Sequence, residues 1–195
     1  MRTGLFGGTF DPIHNGHIKV AQTAKNDLQL DRIIFIPAGD PPHKTGKKIT
    51  DKAHRLAMCR LAAEAEGAAV SDWELTRRAK SYSIDTVRHF TAEYPEDELF
   101  FIIGADSFRD MPSWWHYRDL MALCTFVVVS RPDTRPETLL DRYEGDETPP
   151  RVFFLNDVAM DISSTQIRAK AARGEDVSRL VPAAVNNYMK MHKLY

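Results

Sequence analysis

The chain has 195 residues, 43% hydrophobic and 27% charged, the balance of a globular domain rather than a disordered or fibrous one. A formal net charge of -1 gives no bulk attraction to nucleic acid, and no apolar run reaches bilayer-spanning length. Cys59 and Cys124 each sit in an apolar stretch. With no signal-peptide pattern, they read as reduced core thiols of a cytoplasmic protein.

The run Thr3-Gly4-Leu5-Phe6 predicts a first strand. Ile18, Ala21, Ala24 and Leu28 recur at helical spacing and predict a first helix, with Asn15 as its N-cap. Arg32-Ile33-Ile34-Phe35-Ile36-Pro37 reads as a buried parallel strand. A loop rich in Gly, Pro and Lys covers 38–48. Thr50 is expected to cap a helix through Glu66 whose periodic positions are Ala53, Leu56, Ala57, Arg60, Leu61 and Glu64. A strand is expected within 68–75, and a helix from Ser83 to about Tyr94, stopped by Pro95. Further strands are expected at 99–103, 125–129 and 151–155. A helix over 163–173 ends at Gly174, and Pro182 starts the last one. The alternation predicts an α/β fold: a doubly wound, mostly parallel sheet with right-handed crossovers. A small C-terminal helical part, about 163–195, completes a single domain over 1–195.

Chemistry concentrates in the turn after the first strand, Gly7-Gly8-Thr9-Phe10-Asp11-Pro12-Ile13-His14-Asn15-Gly16-His17. Glycines let backbone N–H groups approach a phosphate, and open α/β sheets bind ligands at this edge. His14 and His17 are three apart, so two imidazole donors share one side of a helix N-terminus. Neither G-x-x-x-x-G-K-[ST] nor G-x-G-x-x-G is present, and no third ligand has zinc-like spacing. Lys44, in Pro41-Pro42-His43-Lys44, can bring a point charge to the same edge. In Asp161-Ile162-Ser163-Ser164-Thr165-Gln166-Ile167-Arg168, hydroxyls precede a helix and Arg168 lies one turn along.

These strings resemble the H-x-G-H and I-S-S-T-x-I-R motifs of the nucleotidyltransferase superfamily. Over nearly the whole chain the resemblance is to bacterial-type nicotinate mononucleotide adenylyltransferases. It is carried by Pro41–Lys44, Ser81-Tyr82-Ser83-Ile84-Asp85-Thr86, Ile103-Gly104-Ala105-Asp106-Ser107 and Pro112-Ser113-Trp114-Trp115. It implies a Rossmann-like fold and transfer of the adenylyl group of ATP to nicotinate mononucleotide, a step of NAD biosynthesis. By the same resemblance, ATP is expected at Gly7, Gly8, Thr9, Phe10, His14, His17, Gly104, Asp106, Arg131, Ile162, Ser163, Ser164, Thr165 and Arg168. The acceptor is expected at Lys44, Ser83, Thr86 and Trp114. His14, His17, Lys44 and Arg168 would act on the reacting phosphates. Mg²⁺ would ride on the ATP phosphates, with no protein ligand named. Many relatives carry tyrosine where this chain has Trp115, so either indole is available to cover the pyridine ring.

A phosphate monoester is already an anionic nucleophile at neutral pH, so no general base is needed. Nicotinamide mononucleotide remains an alternative acceptor. Phosphopantetheine enzymes usually carry Thr where His14 stands and lack a Trp114-like string. A nucleotide-binding module without catalysis is the alternative of another class. ATP and nicotinate mononucleotide are the expected partners, without nucleic acid or membrane, and the sequence leaves room for a homo-oligomer.

Overall fold

The computed structural model describes residues 1–39, 49–77, 80–130, 136–146, 148–156, 158 and 160–195. Its six strands are β1 (Arg2–Gly8), β2 (Arg32–Pro37), β3 (Ala69–Val70), β4 (Glu98–Gly104), β5 (Thr125–Val129) and β6 (Val152–Leu155). Their order is β3-β2-β1-β4-β5-β6, and every pairing is parallel. The α-helices are α1 (Asn15–Asp27), α2 (Lys52–Glu66), α3 (Trp73–Thr76), α4 (Ser83–Glu93), α5 (Ala105–Asp110), α6 (Tyr117–Leu123), α7 (Pro136–Leu140), α8 (Ser164–Ala172) and α9 (Ala183–Met191).

The expected doubly wound parallel sheet is what forms, because each long strand is apolar on both faces. Leu5 of β1 joins one core with Ile34, Ile36, Phe101 and Val128. Its neighbour Phe6 joins the other with Ile33, Phe35, Ile102 and Val127. Alternate side chains therefore serve opposite helical layers. Strand order reverses at β1, where β2 and β4 lie on either side. The register of β1 with β4 ends at Phe6↔Ile102, whereas that with β2 continues through Gly8↔Pro37. The crevice opens where β1 and β4 part, at the topological switch point.

Three local expectations change. The strand expected within 68–75 shrinks to Ala69–Val70, and Trp73–Thr76 turns helical. The N-caps of α1 and α2 are His14 and Asp51, not Asn15 and Thr50. Asp51 accepts from the Ala53 N–H, a better cap than the hydroxyl before it. The buried face of α2 is Arg55, Met58, Cys59, Ala62 and Ala63. Ala53, Arg60 and Glu64, expected to mark its inner stripe, are exposed. The shift follows from Arg55, a charged residue 3% exposed that no hydrophobic periodicity would place inside. Both cysteines are free and buried, and burial pushes each thiol up to about 12.

Candidate active site

The signature turn folds so that its two imidazoles stack, ring centroids 3.7 Å apart and 24° from parallel. Gly16 permits this: a Cβ there would stand 3.0 Å from Nδ1 of His14. The His14 backbone N–H donates to Nδ1 of His17 at 3.2 Å. An accepting Nδ1 puts the proton of neutral His17 on Nε2, as a donor. The Phe10 ring, only 2% exposed, is held edge-on to His17 at 5.0 Å. Its side chain braces the histidine from the core and does not form a cleft wall.

The two rings are kept neutral. Burial lowers His14 from 6.5 to about 4. Burial, and then the neighbouring charge of His14, push His17 well below its ordinary value. Between pH 6.5 and 4 the unfolded chain therefore takes up a proton that folded His14 refuses. Stability is full above pH 6.5 and falls as pH drops towards 4, by about 3 kcal/mol for His14. His17 acts in the same direction. Urea midpoints of the ligand-free protein are expected to fall steeply over this window, and less steeply for His14→Asn. Equal slopes for the two proteins would rule out the buried ring as the cause.

Two clefts open at the carboxyl ends of the strands. The first, about 890 Å³, is lined by Gly7, His14, His17, Gly104, Asp106, Ile162, Ser163 and Ser164, among others. It thus gathers most of the expected ATP residues, from the first turn, the end of β4 and the start of α8. The second, about 520 Å³, is lined by Gly8, Thr9, Glu74, Ser83, Trp114 and Trp115, among others. Gly7, Ile103 and Ser107 line both, so the clefts meet beside the first turn.

Other expected residues stand elsewhere. Arg168 donates to the Asp11 carbonyl at 2.7 Å and to the Thr165 hydroxyl at 3.3 Å. Neither Arg168 nor Thr165 is at the wall of the first cleft. The guanidinium is drawn to a carbonyl of the turn, which the neutral sequence pattern does not announce. The Ser164 hydroxyl donates to the Pro12 carbonyl at 2.9 Å, and Ser163 caps α8 in a reciprocal pair with Gln166. Thr86 is 1% exposed, and its hydroxyl donates to Oε1 of Glu74 at 2.7 Å rather than facing the second cleft. Lys44 and Arg131 lie outside the described residues. Trp114 keeps its expected place, lining the second cleft while packing on the core that holds Leu5 and Phe101, and Trp115 beside it is 63% exposed.

Three polar residues escaped the sequence reading. Arg55 donates through one nitrogen to the carbonyls of Thr9 (2.9 Å) and Ala38 (2.8 Å), and through Nε to that of Thr50 (3.0 Å). Asp11 accepts from the Tyr195 phenol at 2.7 Å and from the Thr50 N–H at 3.3 Å. Glu74 accepts from the Gly39 N–H at 3.3 Å as well as from Thr86. Burial raises the carboxyl of Glu74 against those hydrogen bonds. Only Asp11, inside the glycine-rich string, carried any sequence signal.

Residues 5–170 match the cytidylyltransferase-like family. A Citrifermentans bemidjiense protein named "Probable nicotinate-nucleotide adenylyltransferase" is 42% identical, covering 100% of this chain and 98% of that one. A Clostridium tetani protein of the same name is also 42% identical, with the same coverage. Plasmodium falciparum nicotinic acid mononucleotide adenylyltransferase, solved in complex with NaAD, superposes with a TM-score of 0.81. That comparison covers 100% of this chain and 97% of the other at 19% identity, a likeness of fold.

Proposed function

The chain belongs to the cytidylyltransferase-like family, among the nicotinate-nucleotide adenylyltransferases, and from that premise we propose how its two clefts divide the work. The adenylyl group of ATP passes to nicotinate mononucleotide, giving nicotinate adenine dinucleotide and pyrophosphate in NAD biosynthesis. ATP occupies the first cleft, with Asp106 towards its ribose hydroxyls and Ile162, Ser163 and Ser164 along its phosphates. The mononucleotide occupies the second, its ring against Trp114. The observation that carries this division is the seam at Gly7, Ile103 and Ser107, beside the stacked histidines.

At the seam an acceptor phosphate oxygen attacks the α-phosphorus, and the bond to the leaving pyrophosphate breaks. The nucleophile is already an anion, so the protein supplies position and charge compensation. The Nε2–H of His17 donates to the phosphate chain, and His14 lies against it. Backbone N–H groups of Gly7 and the start of α1 complete the cradle. Lys44 and Arg131 belong to the proposal as further cations. Arg168 acts by holding the turn through the Asp11 carbonyl.

Among the described residues, no group of three His, Cys, Asp or Glu side chains is placed to cage a metal. The first cleft instead offers Asp106 and Asp161 at its wall, which suits a hydrated Mg²⁺ carried by the triphosphate. Such an ion offsets phosphate charge when bound. Among the described residues, no helix is long and apolar enough to cross a membrane. We place the reaction in the cytoplasm, with small molecules as partners.

Pyrophosphate release with ATP, Mg²⁺ and each of three acceptors tests the proposal. Nicotinate mononucleotide is expected to outpace nicotinamide mononucleotide and phosphopantetheine. Preference for either rival would overturn the acceptor. ATP binding without release under any condition would leave a nucleotide-binding module.

A further inference from the structure

Resting on that reading, we propose that Tyr195 is a positioning residue for the transfer: its phenol fixes the Asp11 carboxylate, and through it the turn that presents His17. The Tyr195 hydroxyl donates to Oδ1 of Asp11 at 2.7 Å, across 184 residues of chain. Asp11 is only 4% exposed, so its carboxylate depends on protein donors. Oδ2 has more distant company, the Thr50 N–H at 3.3 Å and a guanidinium nitrogen of Arg168 at 4.0 Å. Among the described contacts of this carboxylate, the phenol is the shortest.

The turn needs such a peg. Phe10, the residue before Asp11, has φ 48°, in the left-handed region where a bulky side chain is disfavoured. A strained residue of this kind persists only where its surroundings hold it. Held so, the Phe10 ring lies close under Gly8, where a Cβ would stand 2.9 Å from it, and meets His17 edge-on at 5.0 Å. The carbonyls of Asp11 and Pro12 are taken by Arg168 and Ser164. The carboxylate of Asp11 is taken from another side, by Tyr195 and Thr50. Together these contacts pin the residue next to Phe10, and so the brace behind the imidazole.

The segment carrying Tyr195 is itself anchored. The Tyr188 hydroxyl of α9 and Nδ1 of His54 on α2 are 2.9 Å apart, which ties the two helices together. Beyond α9, Lys193 takes φ 50°, and the Leu194 N–H donates to the Met189 carbonyl at 3.0 Å. The chain thereby turns back, and Leu194 and Tyr195 pack on the core that holds Phe10 and Phe35. Burial, together with the bond to Asp11, raises the Tyr195 phenol, so at neutral pH it stays protonated and donating.

Steady-state kinetics with ATP and nicotinate mononucleotide, beside thermal melts, on wild type, Tyr195→Phe and Thr3→Val test the inference. Tyr195→Phe keeps the packed ring and removes only the hydroxyl. Thr3→Val removes a hydroxyl with the same kind of partner near the far end of β1, where it donates to Asp97 at 2.6 Å. Each is expected to lower Tm by roughly 2–4 °C. Only Tyr195→Phe is expected to lower kcat, by ~10-fold, with both KM values moving much less. In an Asp11→Ala background, which lacks the peg, Tyr195→Phe is expected to remove nothing more. Unchanged kcat in Tyr195→Phe would overturn the inference. An equal fall in Thr3→Val would do so too, as the mark of general loosening, and so would losses that multiply in the double variant. Should Asp11→Ala not fold, the two single variants decide. A wild type that releases no pyrophosphate with this acceptor would overturn the proposed reaction itself, a result distinct from all of these.

Discussion

His17→Ala is expected to give a folded protein whose kcat is ~100-fold or more below wild type, the scale of a lost donor to developing phosphate charge. The ring sits at the wall of the first cleft, with Nδ1 filled by the His14 N–H and Nε2 left as donor. Alanine removes that donor and also frees the His14 ring, which stacks on it at 3.7 Å. His17→Asn keeps the turn's own hydrogen bond while removing the Nε2 donor, because its side-chain oxygen can still accept from the His14 N–H. Both variants are expected to retain wild-type circular dichroism. KM for the acceptor is expected to move much less than kcat, since the second cleft does not include this ring. A folded His17→Ala enzyme with near-normal kcat would remove the histidine pair from the chemistry.

Arg55→Met is expected to be the most destabilising single change outside the hydrophobic core. The guanidinium is buried, and burial alone would lower its affinity for a proton. Asp11 and Asp51 nearby oppose that effect. Its three carbonyl partners come from the first turn, the end of β2 and the residue before the cap of α2. Methionine fills much of the volume but leaves those oxygens without their charged donor. At ~1 kcal/mol or more for each abandoned acceptor, the loss is about 3 kcal/mol. For a chain of this length that is a fall in Tm of roughly 10 °C. Arg55→Lys is expected to recover little, because one ammonium does not reproduce a planar fork spanning three separate backbone segments. Thermal unfolding checks the stability. KM for the acceptor is expected to rise, since Thr9 and Ala38 line the second cleft. Unchanged melting in Arg55→Met would show that the carbonyls find other donors.

The expectations drawn from short strings fared differently from those drawn from single residues. Gly7, His14 and His17 gather at one cleft because a strand, a turn and a helix N-terminus are consecutive, so spacing alone sets their geometry. Ser163 and Ser164 reach the same cleft from far along the chain. A helix start after the last strand of a parallel sheet must lie at the carboxyl edge. The motifs aim Thr86 and Arg168 at ligands, and in the folded chain their side chains engage protein partners, Glu74 and the Asp11 carbonyl. Those partners lie 12 and 157 residues away, and neither is marked by periodicity. The buried face of α2 departs from its periodic stripe for the same reason. A rule that sends charge outward cannot see three carbonyls awaiting one guanidinium.

The sequence by itself determined the layers, the parallel sheet and the edge where chemistry collects, because hydrophobic period and turn residues act over a few neighbouring positions. Only the tertiary structure decided which polar groups face solvent-filled clefts and which spend themselves on the scaffold. Arg55, Glu74 and Asp11 are cases of that choice. A buried donor or acceptor must find its complement wherever the folded chain brings one, and that pairing is long-range, three-dimensional and absent from any local pattern.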